Sequence, residues 1–350
     1  TARALTRGST LNTIDALPHP DRAMNEPANN AALAGVRVLE LGSTVAGPFC
    51  ARLLGDFGAE VIKIEAPDGD QVRSMGNRYR GKSLYAASML RNKRLAVVDL
   101  RKPEGQDVVR RIASRCDVLV ENFRPGTIEG WGLGYAELSA ANPGLVLVRV
   151  SGFGQDGPYS SRAGYGIIAE AVSGLRNLIG DPDRPPPRAA VALTDYITGL
   201  YAAFGTMLAL FARQRSGRGQ VVDAALYESA FSLLEQHVPA YEKLGIVARR
   251  AGSRLPNSAP NNLYPTADGE YVHITAIADP VFRRLAKLIG REDLVSDARF
   301  AVAVERAKHV DDVDDVVTAW TRSVTAAEAE RLLNEASVPA ARVFTLADIF

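Results

Sequence analysis

The sequence predicts an α/β protein: a large doubly wound parallel sheet followed by a smaller α+β unit. Three observations carry that reading. Short, almost wholly apolar segments recur through residues 36–151, as strands buried on both faces must. Helical stretches separate them at the spacing of βαβ crossovers. Beyond that point the alternation stops and gives way to long helices, a proline-rich breaker and one further strand-and-helix block. A chain of 350 residues has room for two or three domains.

The elements follow in order. Residues 1–34 are polar and mixed, contain His19-Pro20, Pro27 and Asn29-Asn30, and read as a loose tail. VRVLEL (36–41) ends in Gly42 and reads as a buried strand, and GPFCARLLGDFGA (47–59) as a helix with a glycine-rich end. VIKIE (61–65) is the next strand. LAVVDL (95–100) is a strand and PEGQDVVRRIASR (103–115) a helix with Pro103 in its first turn. DVLVEN (117–122), YAELSAAN (135–142) and LVLVRVS (145–151) read as strand, helix and strand. A helical region spans 164–178, and DPDRPPPR (181–188) breaks it. LTDYITGLYAAFGTMLALFAR (193–213) is a long helix whose apolar run, Ile197 to Ala212, is shorter than the roughly 20 residues that cross a bilayer, so a core helix is expected. SGRG (216–219) turns the chain, and 220–238 begins as a strand and becomes a helix. GSRLPNSAPNNLYPTADG (252–269) reads as a loop, EYVHITA (270–276) as a strand, and two or three helices follow to about 335. The expected domains are a large one at 35–225, a small one with linkers at 226–337, and the start of a return to the large domain at 338–350.

Composition narrows the function. Apolar residues make up 47% and charged residues 23%, and the formal net charge is +1, so neither a nucleic-acid nor a membrane partner is expected. Two distant cysteines, Cys50 and Cys116, form no CxxC and fit a reducing cytoplasm, the expected location. Four histidines show no metal-binding spacing, and no metal is expected.

Two motifs match signatures they do not fulfil. GNRYRGKS (76–83) fits GxxxxGK[ST], but no buried strand leads into it and the exit is weakly helical. Phosphate binding by that motif needs both. A basic surface loop containing Lys82 is expected instead. GFGQDG (152–157) fits GxGxxG after a strand, yet Pro158 follows and helical periodicity resumes only at Gly164.

Asp195 stands at the front of the long helix with no partner charge nearby in sequence. Aspartate is a favoured helix cap. A carboxylate there is also held as the anion by the helix dipole and free N–H groups, and a carboxylate can attack an acyl carbonyl to form a covalent intermediate. From the residues alone, both readings stand.

Five segments taken together resemble the class III CoA-transferase family, which includes formyl-CoA transferase, carnitine CoA-transferase and α-methylacyl-CoA racemase. They are GVRVLELGSTVAGPFCARLLGDFGAEVIKIEAP (35–67), NKRLAVVDLRKPEG (92–105), DVLVENFRPGT (117–127), SGFGQDGPY (151–159) and SGRGQVVDAALYES (216–229). The resemblance covers most of 35–350 and implies a Rossmann-like large domain and an interlocked homodimer. It implies that Asp195 is the nucleophile of an acyl-CoA:carboxylate CoA-transfer through an aspartyl-CoA thioester, with coenzyme A as substrate and no other cofactor. It implies a CoA site at Ser43, Val45, Asn92, Lys93, Arg94, Asn122, Phe123 and Arg124, with Phe123 against the adenine; Arg37 and Arg73 are further candidates. Alternatives are an acyl-CoA racemase or intramolecular CoA isomerase of the family, and a CoA-binding protein without turnover. The racemase histidine is replaced here by Tyr165, a poor base at neutral pH, which favours transfer. Members of the family continue beyond the point where this chain ends. The loop 252–269 lacks the glycine run that covers the site in formyl-CoA transferase, so a different acceptor is expected. Arg162, Arg188, Arg254 and Asn261 are candidates to hold a dicarboxylic acceptor.

Overall fold

A computed structural model describes residues 31–350, so the expected tail lies outside the described residues except for a turn at 31–35. The chain forms two compact units: residues up to 176 with 188–247, and residues 177–187 with 248–350. The first boundary after the sheet thus falls later than the expected 225/226.

In chain order the first unit contains β1 (Arg37–Glu40), α1 (Ala46–Asp56), β2 (Glu60–Glu65), β3 (Arg78–Tyr79), β4 (Lys82–Ser83), α2 (Leu84–Met89), β5 (Lys93–Val97), α3 (Pro103–Ala113), β6 (Val118–Glu121), α4 (Thr127–Gly130) and α5 (Tyr135–Ala141). It continues with β7 (Val146–Ser151), α6 (Gly166–Val172), α7 (Leu193–Ser216), β8 (Val221–Ala225), α8 (Leu226–Phe231) and α9 (His237–Leu244). α8 packs on α6 and α7, which is why the chain stays with this unit past residue 225.

Six strands form one sheet in the order β5-β2-β1-β6-β7-β8. Every neighbouring pair is parallel. Renumbered by appearance within the sheet, this is 3-2-1-4-5-6, the doubly wound order with its reversal between β1 and β6. β6 and β7 are buried along their whole length, as a central parallel strand requires. The two charged residues within them, Glu121 and Arg149, are register partners and satisfy each other at 2.8 Å. β5 departs from expectation. It starts at Lys93 rather than Leu95, and its residues beyond Lys93 are exposed because it is the sheet edge.

α7 runs 24 residues and is stopped by Gly217 in the left-handed conformation, φ 68°. Its inner face carries Thr194, Thr198, Gly199, Ala202, Thr206 and Ala209. A methyl on Gly199 would come 2.9 Å from the Ala46 carbonyl oxygen, so the glycine is what allows α7 to lie against the start of α1. The expected core helix is buried on that face only. Leu200, Phe204, Leu208 and Phe211 project from the other, each more than half exposed.

The second unit holds β9 (Asn261–Pro265), β10 (Tyr271–Thr275), α10 (Asp279–Leu288), α11 (Ala303–Arg306), α12 (Val310–Thr321), α13 (Ala326–Glu335), β11 (Ala340–Arg342) and α14 (Leu346–Ile349). Its sheet is antiparallel in the order β11-β10-β9. β9 lies within the stretch read as a loop. Its asparagines hide the strand from propensity but are used: Asn262 Nδ2 donates to buried Asp314, and Asn261 Oδ1 accepts from Thr275.

Candidate active site

In a parallel sheet the loops leaving the carboxyl ends of the strands surround the crevice where the strand order reverses. Here those loops follow β1 and β6. Asn122, just past β6, joins them: its Oδ1 accepts the Ser43 N–H at 2.8 Å and its Nδ2 donates to the Ser43 carbonyl at 2.9 Å. Gly42 passes so close to the Asn122 side chain that a Cβ there would come 2.9 Å from its Oδ1, and Gly47 packs against the same side chain. Ser43, Asn122, Phe123 and Arg124 are therefore brought together at the switch point. Arg124 is exposed, and its guanidinium donates to the Ser161 carbonyl at 2.8 Å. Phe123 is half-buried with its ring edge-on to Trp131, centroids 5.1 Å apart. Val45, by contrast, packs its side chain among Phe49, Val72, Ala86 and Met89 and offers only its backbone.

The other residues that the resemblance implies for CoA lie elsewhere in the unit. Asn92, Lys93 and Arg94 begin β5, at the amino end of the sheet, away from the crevice. The Asn92 side chain donates to Asp56 at 2.7 Å, and Arg94 pairs with Glu60 at 2.9 Å. The Lys93 ammonium is enclosed, bound to Glu40 at 2.7 Å and to the Pro48 carbonyl at 2.7 Å. Asn92 and Arg94 are spent on Asp56 and Glu60, and the Lys93 ammonium is spent in the interior beneath the β1–α1 segment rather than offered to the crevice. Arg37 opens β1 at the same far end, and Arg73 is held bidentately by Glu65.

α7 connects β7 to the parallel β8, so its first turn lies at the carboxyl end of the sheet. Asp195 is the third residue of that turn rather than the cap, which is Ala192. The carboxylate makes no salt bridge among the described residues. Gly166, the first residue of α6, lies directly against it; a Cβ there would overlap Asp195 Oδ2. Burial pushes the Asp195 carboxyl up from 3.8 to about 6, and its own backbone N–H and the Arg188 charge only partly offset this. The helix dipole therefore does not win: desolvation of the charged form outweighs it.

Two tyrosines that sequence reading passed over frame Asp195. Tyr196, the next residue, packs edge-on to Phe49 at 4.8 Å and donates from its hydroxyl to Tyr85 at 3.0 Å. Burial first, then Tyr196 and the charge of Asp195, raise the Tyr85 phenol. Thr194 Oγ1, next in sequence to Asp195, is a buried polar atom without a hydrogen-bond partner among the described residues, as are both side-chain amide atoms of Gln155, whose backbone N–H donates to Asp223. Gln155 belongs to the GxGxxG stretch, which opens no helix. It bends back so that Gly152 and Gly164 touch backbone to backbone, and the next helix begins at Gly166. The GxxxxGKS stretch forms the β3–β4 hairpin, and the Ser83 hydroxyl donates to the Met75 carbonyl and caps α2. Neither motif builds a phosphate cradle.

Of the four acceptor candidates, Arg254 is committed to Asp311 and Asp314, both at 2.7 Å, and Asn261 to His273 and Thr275. Arg162 lies over the Tyr159 ring at 3.6 Å. Arg188 has no carboxylate partner among the described residues; its Nε donates only to the Ala189 carbonyl.

A family model described as CoA-transferase family III matches residues 33–350. The chain is 50% identical over 315 residues to a succinyl-CoA–D-citramalate CoA-transferase of Chloroflexus aurantiacus, covering 89% of this chain and 78% of that protein. It is 35% identical over 320 residues to a succinyl-CoA:glutarate CoA-transferase of Mus musculus, covering 91% of this chain and 73% of the other. Among solved structures, a CAIB/BAIF family protein from Brucella suis matches with a TM-score of 0.81 at 35% identity, over 92% of this chain and 86% of that one. A doubly wound sheet, a desolvated aspartate at its carboxyl end and a match running from residue 33 to residue 350 lead to one assignment: the chain belongs to CoA-transferase family III and is a CoA-transferase of that class.

Proposed function

We propose that the chain moves CoA from an acyl-CoA to a dicarboxylic acid, with Asp195 as the nucleophile. One oxygen of the Asp195 carboxylate attacks the thioester carbonyl and expels CoA thiolate, leaving an aspartyl–acyl anhydride. The thiolate attacks the aspartyl carbonyl, which releases the donor acid and leaves an aspartyl-CoA thioester. The acceptor carboxylate attacks that thioester to give a second anhydride and thiolate. Attack of the thiolate on the acceptor's carbonyl then yields the new acyl-CoA and returns the Asp195 carboxylate. Backbone N–H groups of the glycine-rich turns stabilise the oxyanions. The observation that carries this reading is the desolvated, unpaired carboxylate in the first turn of α7. A partly desolvated carboxylate is a stronger nucleophile than one in water, and at neutral pH it is still largely ionised.

The acceptor class rests on Arg188. It is the charge that acts on Asp195 and it has no carboxylate of its own, so its fork can hold the distal carboxylate of a second diacid. The names of relatives that use succinyl-CoA with citramalate or glutarate agree with this. Asp195→Ala should abolish transfer from succinyl-CoA while CoA binding, read by calorimetry, stays within about twofold of wild type. More than a few per cent of residual transfer sinks the assignment. Deuterium entering the α-carbon of a 2-methylacyl-CoA in D₂O without an acceptor would instead establish the racemase chemistry.

The reading includes an interlocked homodimer. The exposed apolar face of α7, with Tyr241 and Leu244 of α9 also exposed, is what a solvated surface avoids and an obligate interface above about 2,000 Å² covers. Sedimentation showing a stable, active monomer at micromolar concentration would remove it.

A further inference from the structure

Four charged side chains lie in the interior of the large unit beneath the β1–α1 loop: Glu40 from the end of β1, Lys63 from β2, Lys93 from β5 and Asp70 from the segment after β2. Their side chains are at most 1% exposed. Lys63 Nζ reaches Glu40 Oε1 and Asp70 Oδ2, both at 2.8 Å, and donates to the Gly42 carbonyl at 2.6 Å. Lys93 Nζ reaches Glu40 Oε2 and donates to the Pro48 carbonyl, both at 2.7 Å. Asp70 Oδ1 accepts the Thr44 N–H at 3.0 Å. The charges balance, two against two. Buried ion pairs seldom stabilise a fold better than apolar side chains of the same volume. What apolar side chains could not do is hold backbone groups at residues 42 and 44 of the β1–α1 loop and at residue 48 in the first turn of α1. That loop needs holding, because Thr44 sits at φ 71°, a left-handed conformation unfavourable to a β-branched residue.

We propose that the Glu40–Lys63–Lys93–Asp70 cluster is a positioning device that fixes the β1–α1 loop and the first turn of α1, Gly42–Pro48, in the shape that receives CoA at the switch point. The lysines do not touch the substrate. They act through the carbonyls of Gly42 and Pro48, and Asp70 acts through the amide of Thr44. Ser43, between those anchors, is then presented to Asn122 with no entropy left to lose on binding. The inference rests on the proposed CoA-transfer reading, because it takes CoA as the loop's ligand.

The test separates a positioning role from a merely structural one. Lys93→Met removes the donor to Pro48 and leaves one Glu40 oxygen unpaired. Glu40→Gln/Lys93→Met removes that stranded charge as well but does not restore the donor. With coenzyme A itself as the calorimetric probe, both variants should show a Kd raised about tenfold, the scale of one hydrogen bond from a charged donor, while the double variant recovers the wild-type Tm. If Kd returns to wild type together with Tm, or never changes in Lys93→Met, the cluster is structural only and the inference falls. Should neither variant fold, hydrogen exchange on the wild type decides. The Thr44 amide should be as protected in the free protein as the strand amides of β1; fast exchange that slows only with CoA would show a loop that is not preset. These outcomes leave the reading of Asp195 untouched, whereas full transfer by Asp195→Ala, or failure of the wild type to bind CoA, strikes that reading first.

Discussion

Asn92-Lys93-Arg94 and Asn122-Phe123-Arg124 look alike on paper and have opposite fates. Both are short triplets running from asparagine to arginine beside a strand of the same sheet. The first begins an edge strand, at the amino end, where each side chain is taken by a neighbour: Asp56, Glu40 and Glu60. The second follows a central strand, at the carboxyl end beside the order reversal. There Asn122 ties two loops together and Arg124 keeps its charge without a carboxylate partner among the described residues. Strand direction decides the difference. In a parallel sheet only the residues after a strand face the crevice, and basic residues before one serve as ordinary surface or interior ion pairs.

This contrast can be broken at several points, and the largest effect belongs to the interior. Lys63→Met leaves Glu40 and Asp70 short of a shared cation and should cost about 3–5 kcal/mol in urea unfolding. A loss below about 1 kcal/mol would mean that the cluster relaxes freely. Next is Arg124→Ala, which should raise the CoA Kd about tenfold with Tm unchanged; no change in Kd would remove the carboxyl-end triplet from the site. Asp195→Asn comes third, through pH. The folded carboxyl titrates near 6 rather than 3.8, so the fold disfavours the charged form. That penalty is absent below about pH 4, grows between the two values and is complete above about pH 6. Asp195→Asn should therefore stabilise the protein by about 1 kcal/mol at pH 8, after allowance for partial solvation, and not at all near pH 3.5. Wild-type turnover should rise through about pH 6 as the nucleophile ionises. A gain at pH 3.5 equal to that at pH 8 would disprove the sign. The smallest effect is Arg94→Ala, within about 0.5 kcal/mol of wild-type stability and with CoA affinity intact. If it weakens CoA as much as Arg124→Ala does, the comparison between the two ends collapses.

Much of this architecture was legible. Apolar runs such as VLVE and VLVRVS locate central strands because burial on both faces leaves little room for polarity. Asp195 was legible as a helix-front acid, though not as a desolvated one, because burial depends on α6, whose Gly166 is distant in sequence. Three kinds of feature escaped. β9 is masked by asparagines whose side chains are satisfied by Asp314 and Thr275. Lys93 reads as a surface base until the register of β5 against β2 turns it inward. Tyr85 and Tyr196, 111 residues apart, meet only because α2 and α7 converge on the same hydrophobic cluster.

Gly166 carries a consequence for how such a protein can change over time. A Cβ at this position would overlap Asp195 Oδ2. Any side chain there, even a methyl, forces the carboxylate to swing aside or α6 to back away. On the proposed mechanism, substitution at Gly166 is therefore disfavoured while Asp195 serves as nucleophile, and becomes permissible once the acid is dispensable. On that mechanism, a copy of this sequence carrying alanine at 166 beside an intact Asp195 would be the mark of a lineage that has given up the reaction while still displaying its emblem.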